Sequence, residues 1–234
     1  RPDLITDLLT VSTAELVKHR VVVMERGAPG ARTLVCCGAS HLQTRTIIVD
    51  PETEIQCKPD TVGEIWVSGP TLAKGYYNNI EDTEHTFNAR LSDTNEGPFL
   101  RTGDLGFIHE GGIYVTGRIK DVIIVDGANH YPQDIEETVE KAHAAIRPGC
   151  VIAFPIDDDG PEKLVVVAEA GGIPDSAGAA PVITAARKAV ARDHDLRVHK
   201  VCLIQPRSIT KTSSGKLQRQ ACKRGTSERA AGAC

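Results

Sequence analysis

Aromatic residues make up only 4% of these 234 residues, with a single Trp and a single Met. From Arg197 onward there is no Phe, Tyr or Trp, so this basic stretch offers nothing for bases to stack on, and nucleic acid is not expected as a partner. No run of about 18 apolar residues occurs, which excludes a membrane-spanning helix. No charged-then-apolar N-terminal segment points to secretion, and a soluble, cytoplasmic protein is expected. Paired metal-ligand spacings are also missing. The seven cysteines (Cys36, Cys37, Cys57, Cys150, Cys202, Cys222, Cys234) include no Cys-x-x-Cys, and the eight histidines supply no complementary pair. Neither a zinc site nor a disulfide framework is expected, and idle thiols in a reducing cytosol fit better. Residue 1 is Arg and the only Met is Met24, so the expectation is a piece of a longer protein.

What is present is an apolar content of 41%, enough to build real cores, and a net charge of −4 that is unevenly spread. Residues 197–229 hold nine of the 27 Lys/Arg and one of the 31 Asp/Glu, so this segment is +8 and the remainder −12. A solvated helix and terminus explains that bias more simply than a specific anion-docking face.

Residues 1–31 read as a helical or irregular segment ending at Gly27-Ala28-Pro29-Gly30. From Thr33 the texture changes to short β-rich runs, Thr33–Cys37, Thr46–Val49 and Gly63–Ser68, which suggest a compact barrel or small sheet. A helix is predicted over Ile80–Ala89, where Asp82 and Glu84 favour its positive end. Strands Gly106–His109 and Ile113–Thr116 flank a hairpin turn at Glu110-Gly111-Gly112. After Gly117 the pattern is strand, helix, strand, strand, helix, strand. Val122–Val125 is apolar, Pro132 opens a helix whose Ile135, Val139 and Ala142 share one face, and Cys150–Ile156 and Leu164–Ala168 are strands. Asp157-Asp158-Asp159-Gly160 makes the turn between those strands, Pro181–Arg192 is a second helix and Val201–Ile204 a final strand. The fold class is thus α/β to α+β, with about 117 residues in the C-terminal unit.

Three motifs carry the chemistry: Arg-Thr-Gly-Asp-Leu at 101–105, Gly-Arg-Ile-Lys-Asp at 117–121 and Lys-Thr-Ser-Ser-Gly-Lys at 211–216. Asp104, read into a tight Thr-Gly-Asp turn, can accept hydrogen bonds from two vicinal hydroxyls, as a ribose diol offers, or simply cap its own turn. The fork of Arg118 suits ribose hydroxyls or phosphate oxygens, or a surface ion pair with Asp121. Lys216 follows Gly215, which leaves the backbone free to approach a ligand. Its compact charge on a long stem can reach a carboxylate and an α-phosphate together, stabilising the transition state without proton transfer. A solvated Lys opening a terminal helix is the plainer alternative. A Gly-x-x-x-x-Gly-Lys phosphate loop is excluded, because it needs glycine at the position held by Thr210.

The order and spacing of these motifs, running from about Arg32 to Arg224, resembles the C-terminal part of the adenylate-forming superfamily of acyl-CoA synthetases, luciferases and peptide-synthetase adenylation domains. Within it, Asn-His-Tyr-Pro-Gln-Asp-Ile-Glu at 129–136 and Thr-Lys-Thr-Ser-Ser-Gly-Lys-Leu-Gln-Arg at 210–219 look most like the fatty acyl-AMP ligases. The resemblance implies that Asp104 and Arg118 hold the ribose of ATP, that Lys120 is the hinge on which a mobile domain pivots, and that Lys216 is catalytic, contacting the phosphate and the acyl carboxylate. It implies the end of a large AMP-binding domain with a small β-barrel over 1–117 and a mobile lid domain over 118–234. The parent reaction would use a fatty acid, ATP and Mg2+ to make acyl-adenylate, passed on to an acyl carrier protein or polyketide-type synthase. The family's phosphate loop, adenine segment and magnesium-binding stretch do not occur in residues 1–100, so the magnesium ligands are expected upstream. Asp126 and Ala128 stand where basic residues would flank Gly127, and neither that loop nor His130 is assigned chemistry. The alternatives are an acyl-CoA ligase, against which Arg20–Glu25 is a candidate part of the insertion near 11–32 that marks ligases stopping at acyl-AMP, and a non-catalytic interaction domain that keeps the fold.

Overall fold

β-Branched runs punctuated by Pro and Gly become strands in the N-terminal half, while the C-terminal half alternates strands with amphipathic helices. The computed structural model of the chain describes residues 7–41, 43–125, 127–156, 162–171 and 176–232. It divides into two compact units, Arg1–Lys120 and Asp121–Cys234.

In the first unit, β1 (Leu8–Ser12) pairs antiparallel with β2 (Ala31–Val35). The helical or irregular path predicted over residues 1–31 holds for α1 (Thr13–Leu16), whose cap is Ser12 Oγ accepting from the Glu15 N–H at 3.4 Å, and for the turns and isolated bridges of 17–30, but not for β1. β1 is a strand because its partner lies far along the chain, Leu9 opposite Leu34, which no local pattern reveals. β3 (Arg45–Val49), β4 (Gly63–Ser68), β5 (Leu100–His109) and β6 (Gly112–Arg118) then form an antiparallel sheet in that order. Glu110 and Gly111, both at positive φ, make the tight β5–β6 turn. α2 (Ile80–Phe87) bridges β4 and β5, with Asn79 Oδ1 accepting from the Asp82 N–H at 3.1 Å. Ile47, Val49, Trp66, Leu91 and Phe99 form one buried cluster of this unit. The expected barrel does not close: among the described residues no strand pairing joins β3 to β6. Four strands that must accommodate Trp66 and Phe99 enclose too little space to curl onto themselves.

In the second unit, β7 (Ile123–Val125) and β8 (Ala128–His130) make a hairpin around Gly127, which sits at φ +75. Asp126 and the turn read at 157–160 lie outside the described residues. α3 (Pro132–Ala142), β9 (Ile146–Ile156), β10 (Lys163–Ala170), α4 (Ser176–His194), β11 (Val198–Ile204) and α5 (Arg219–Gly232) follow. β9 and β10 are antiparallel, and β10 and β11 are parallel with α4 as the crossover. α4 starts before the predicted Pro181, because an early proline forfeits only one hydrogen bond of a helix long enough to absorb it.

Side chains on β9 and β10 alternate strictly between two cores. Val151, Ala153, Leu164, Val166 and Ala168 pack with Ile135 and Val139 of α3 and Val182, Ala186 and Val190 of α4. Cys150, Ile152, Phe154, Val165 and Val167 pack on the other face with Ile209, Leu217 and Cys222. That second face therefore seats the segment that carries the last sequence motif.

His194, at the end of α4, meets Thr138 Oγ1 at 2.8 Å through Nε2. Burial holds its pKa below the ordinary 6.5, against the opposing pull of Asp193. A group depressed in the folded state takes up its proton mainly on unfolding, so stability is present above pH 6.5 and falls as the pH drops below it. The unfolding midpoint should thus decline between about pH 7 and 5 more steeply than in His194→Gln, and parallel profiles would refute this.

Candidate functional site

Asp104 does not lie in a turn between two elements, as its Thr-Gly-Asp setting predicts, but in a bulge within β5. The β4–β5 register slips between Glu64 and Trp66: Glu64 faces Leu105, whereas Trp66 faces Arg101. Thr102, Gly103 and Asp104 are thus accommodated opposite Ile65 alone. Gly103 takes φ +72, a conformation that costs other residues strain. Thr102 Oγ1 donates to the Ile65 carbonyl at 2.7 Å and accepts the Asp104 N–H at 3.1 Å. The strand continues because β-pairing resumes on both sides of the bulge, which a three-residue motif cannot disclose.

A buried carboxylate holds this bulge. Glu64, 2% exposed, accepts the Gly103 N–H at 3.1 Å on Oε1, and on Oε2 accepts Trp66 Nε1–H at 2.9 Å and Arg101 Nε–H at 3.0 Å. Arg101 also reaches Oε2 through Nη2 at 2.9 Å and lies over the Trp66 ring at 5.3 Å. Sequence reasoning missed Glu64. The available signal was a lone carboxylate in the otherwise apolar strand Gly63–Ser68, which has to find a cation in the fold.

Arg118 ends β6 directly opposite Asp104 in the ladder, and its Nε donates to Asp104 Oδ1 at 2.8 Å. Its ion-pair partner is therefore Asp104, not Asp121. Both side chains keep access to solvent, 34% for Asp104 and 66% for Arg118. Among the described residues Asp104 Oδ2 takes no hydrogen bond, so the pair offers one free carboxylate oxygen and the remaining guanidinium N–H groups to a polyhydroxylated ligand. Lys120 follows, exposed, in a single 3-10 turn at Ile119–Asp121, at the last position of the first unit.

Lys216 stands in the second unit on a short hairpin. Lys211 bridges to Leu217, and the Gln218 N–H reaches the Thr210 carbonyl at 3.1 Å. Within the loop, the Thr212 N–H donates to the Lys216 carbonyl at 2.8 Å and the Lys216 N–H to Thr212 Oγ1 at 3.0 Å. Gly215, at φ +83, lets the chain turn back. The two lysines at the ends of the motif differ sharply. Lys211 Nζ is tied to the Gly149 carbonyl at 2.8 Å, whereas the Lys216 ammonium has no hydrogen-bond or ion-pair partner among the described residues. The hairpin rests on a second buried carboxylate, Glu169, whose Oε1 accepts the Ile209 N–H at 2.8 Å. Burial alone would raise the Glu169 pKa, yet N–H donation from Ile209 and Arg207 holds it below the usual carboxylate range. No cluster of three or more His, Cys, Asp or Glu side chains able to hold a metal ion occurs among the described residues. No helix among them is long and apolar enough to cross a membrane.

Two family profiles match the chain: "AMP-binding enzyme" over residues 16–77 and "Disco-interacting protein 2-like, AMP domain" over residues 120–226. The chain is 46% identical over 219 residues to the medium-chain-fatty-acid–acyl-carrier-protein ligase JamA of Moorena producens, covering 92% of this chain and 37% of that protein. It superposes with TM-score 0.79 and 31% identity on a structure from a study of fatty acyl-adenylate ligases of E. coli and L. pneumophila, over 97% of this chain and 38% of that one. ATP-bound MatB from Rhodopseudomonas palustris matches with TM-score 0.62 and 25% identity, over 81% of this chain and 35% of that one. The chain thus spans well under half the length of each of these three proteins.

Proposed function

Because this chain belongs to the adenylate-forming, AMP-binding family, we propose that it is the C-terminal part of a fatty acyl-AMP ligase. Residues 1–117 would end the large domain, the open sheet and ribbon forming its β-barrel subdomain with strands from elsewhere in the protein, and 118–234 would be the mobile lid that pivots at Lys120. The reaction is attack of a fatty-acid carboxylate oxygen on the α-phosphorus of ATP, forming acyl-adenylate and breaking the bond to pyrophosphate. An acyl carrier protein or polyketide-type synthase then takes the acyl group, and use of ATP suits a cytoplasmic setting.

The observation that carries this reading is the unpartnered Lys216 ammonium, presented by a hairpin whose other lysine is fixed. A free, positioned cation is what developing charge on the phosphate requires. The Asp104–Arg118 pair supports a ribose site: the free carboxylate oxygen accepts from one hydroxyl, and Arg118 can share the other oxygen with the second. Magnesium would screen the triphosphate, held by residues outside this chain.

In the full-length enzyme, the expected product from fatty acid and ATP is accumulated acyl-adenylate, with CoA ignored. Efficient formation of acyl-CoA in the same assay would replace this reading with that of an acyl-CoA ligase. Asp104→Ala should raise the ATP KM by roughly tenfold, the effect of losing a charged hydrogen-bond acceptor. An unchanged KM would remove Asp104 from the ribose site. The 234-residue polypeptide alone is not expected to release pyrophosphate, and robust release would refute the partial-enzyme reading.

A further inference from the structure

A carboxylate as enclosed as Glu136, whose side chain is 10% exposed, needs a cation and a hydrogen bond to each oxygen. Arg219 supplies both. Its Nε donates to Oε1 at 2.8 Å and its Nη2 to Oε2 at 2.7 Å, while Oε1 also accepts the Ala153 N–H at 3.1 Å on the free edge of β9. The remaining arm of the guanidinium, Nη1, lies 3.5 Å from Asp121 Oδ2.

Arg219 is the first residue of α5 and follows Lys216 after only Leu217 and Gln218. Leu217 packs against the apolar cluster of the second face, and Gln218 closes the hairpin onto Thr210. One limb of the hairpin is anchored through Ile209 to Glu169 and through Lys211 to Gly149. Among the described residues the other is tied to groups beyond the hairpin through Arg219, by its fork on Glu136 and its weaker reach to Asp121.

We propose that Arg219 is a positioning residue for Lys216: its two-armed grip on Glu136 fixes the returning limb of the hairpin and so sets where the Lys216 ammonium points. The inference rests on the role in α-phosphate activation given to Lys216 above. The fork matters more than the charge. The Nε and Nη2 N–H groups run side by side to the two Glu136 oxygens while Nη1 faces Asp121, a planar pattern that the single point charge of a lysine does not reproduce.

The test uses the full-length enzyme and reads its two half-reactions separately, acyl-adenylate formation from ATP and acyl transfer from supplied acyl-AMP. Arg219→Gln should slow adenylation by roughly 10- to 100-fold, the cost of a misaimed group, with the ATP KM and acyl transfer changed less than about twofold. In a Lys216→Ala background, Arg219→Gln should add nothing, because it acts through a group already gone. Arg219→Lys keeps Glu136 neutralised and guards against unfolding, and it should still slow adenylation at an unchanged melting temperature. Equal loss in both half-reactions, full multiplication of the Arg219 and Lys216 effects, or full activity in Arg219→Lys would each overturn the proposal. Intact adenylation in Lys216→Ala alone would instead remove the parent reading, and this inference with it.

Discussion

Lys216→Ala is expected to lower acyl-adenylate formation in the full-length enzyme by a factor on the order of 10² or more, the range for removing one preorganised electrostatic group. The ATP KM should change little, because the proposal gives the ribose contacts to Asp104 and Arg118 and has the ammonium act where charge grows in the transition state. Acyl transfer from supplied acyl-AMP should stay nearly intact, since the bond to the α-phosphate is then already made. The hairpin itself should survive the substitution. Its turn is held by the Thr212 hydroxyl, by backbone hydrogen bonds and by Gly215, none of which uses the Lys216 side chain. Lys211→Ala is a contrasting variant: it removes the tie to the Gly149 carbonyl, and its loss should appear as lower stability as well as a slower reaction. Equal damage to both half-reactions in Lys216→Ala, or none to adenylation, would take Lys216 out of this role.

Much of the architecture was legible because it is written in local periodicity. Ile135 and Val139 recur at helical spacing and pack together against β9 and β10. Cys150–Ile156 is an almost continuously apolar run because both its faces are covered, as the two clusters around β9 show. β1 escaped notice because its identity depends on pairing with β2, and β8 because three residues beside a turn carry no period. The motif residues Asp104, Arg118 and Lys216 stood out by spacing. What the spacing could not reveal is the set of charged groups beneath them. Glu64 meets Arg101 across 37 positions and Glu136 meets Arg219 across 83, and at such separations each residue alone resembles a surface charge. The hint was contextual: a carboxylate in an apolar strand or on the buried face of a helix must be neutralised somewhere.

Glu64→Ala is the second substitution expected to have a large effect, and it should act first on stability. Removing one partner of a buried ion pair costs about 3–5 kcal/mol, chiefly because the other charge is left without compensation. Here that partner is Arg101, 15% exposed, which would keep the Trp66 ring and, as its carboxylate, the outer contact with Glu54 at 3.0 Å. Trp66 Nε1–H and the Gly103 N–H would lose their acceptor at the same time. Because Gly103 sits in the bulge beside Asp104, the carboxylate proposed to bind the ribose would lose its backing even in molecules that remain folded, so weaker ATP binding should accompany the lower melting temperature. Glu64→Gln separates the two effects: it preserves shape and one oxygen acceptor but no longer neutralises Arg101, and it should fall between wild type and Glu64→Ala in both measurements. Replacing both charges, as in Glu64→Gln with Arg101→Gln, should recover part of the lost stability, since an unpaired buried charge costs more than a neutral hydrogen-bonded pair. If chemical denaturation shows Glu64→Ala within about 1 kcal/mol of wild type, the upper bound for an exposed ion pair, the carboxylate is not the anchor of the bulge that its three hydrogen bonds and its ion pair with Arg101 indicate.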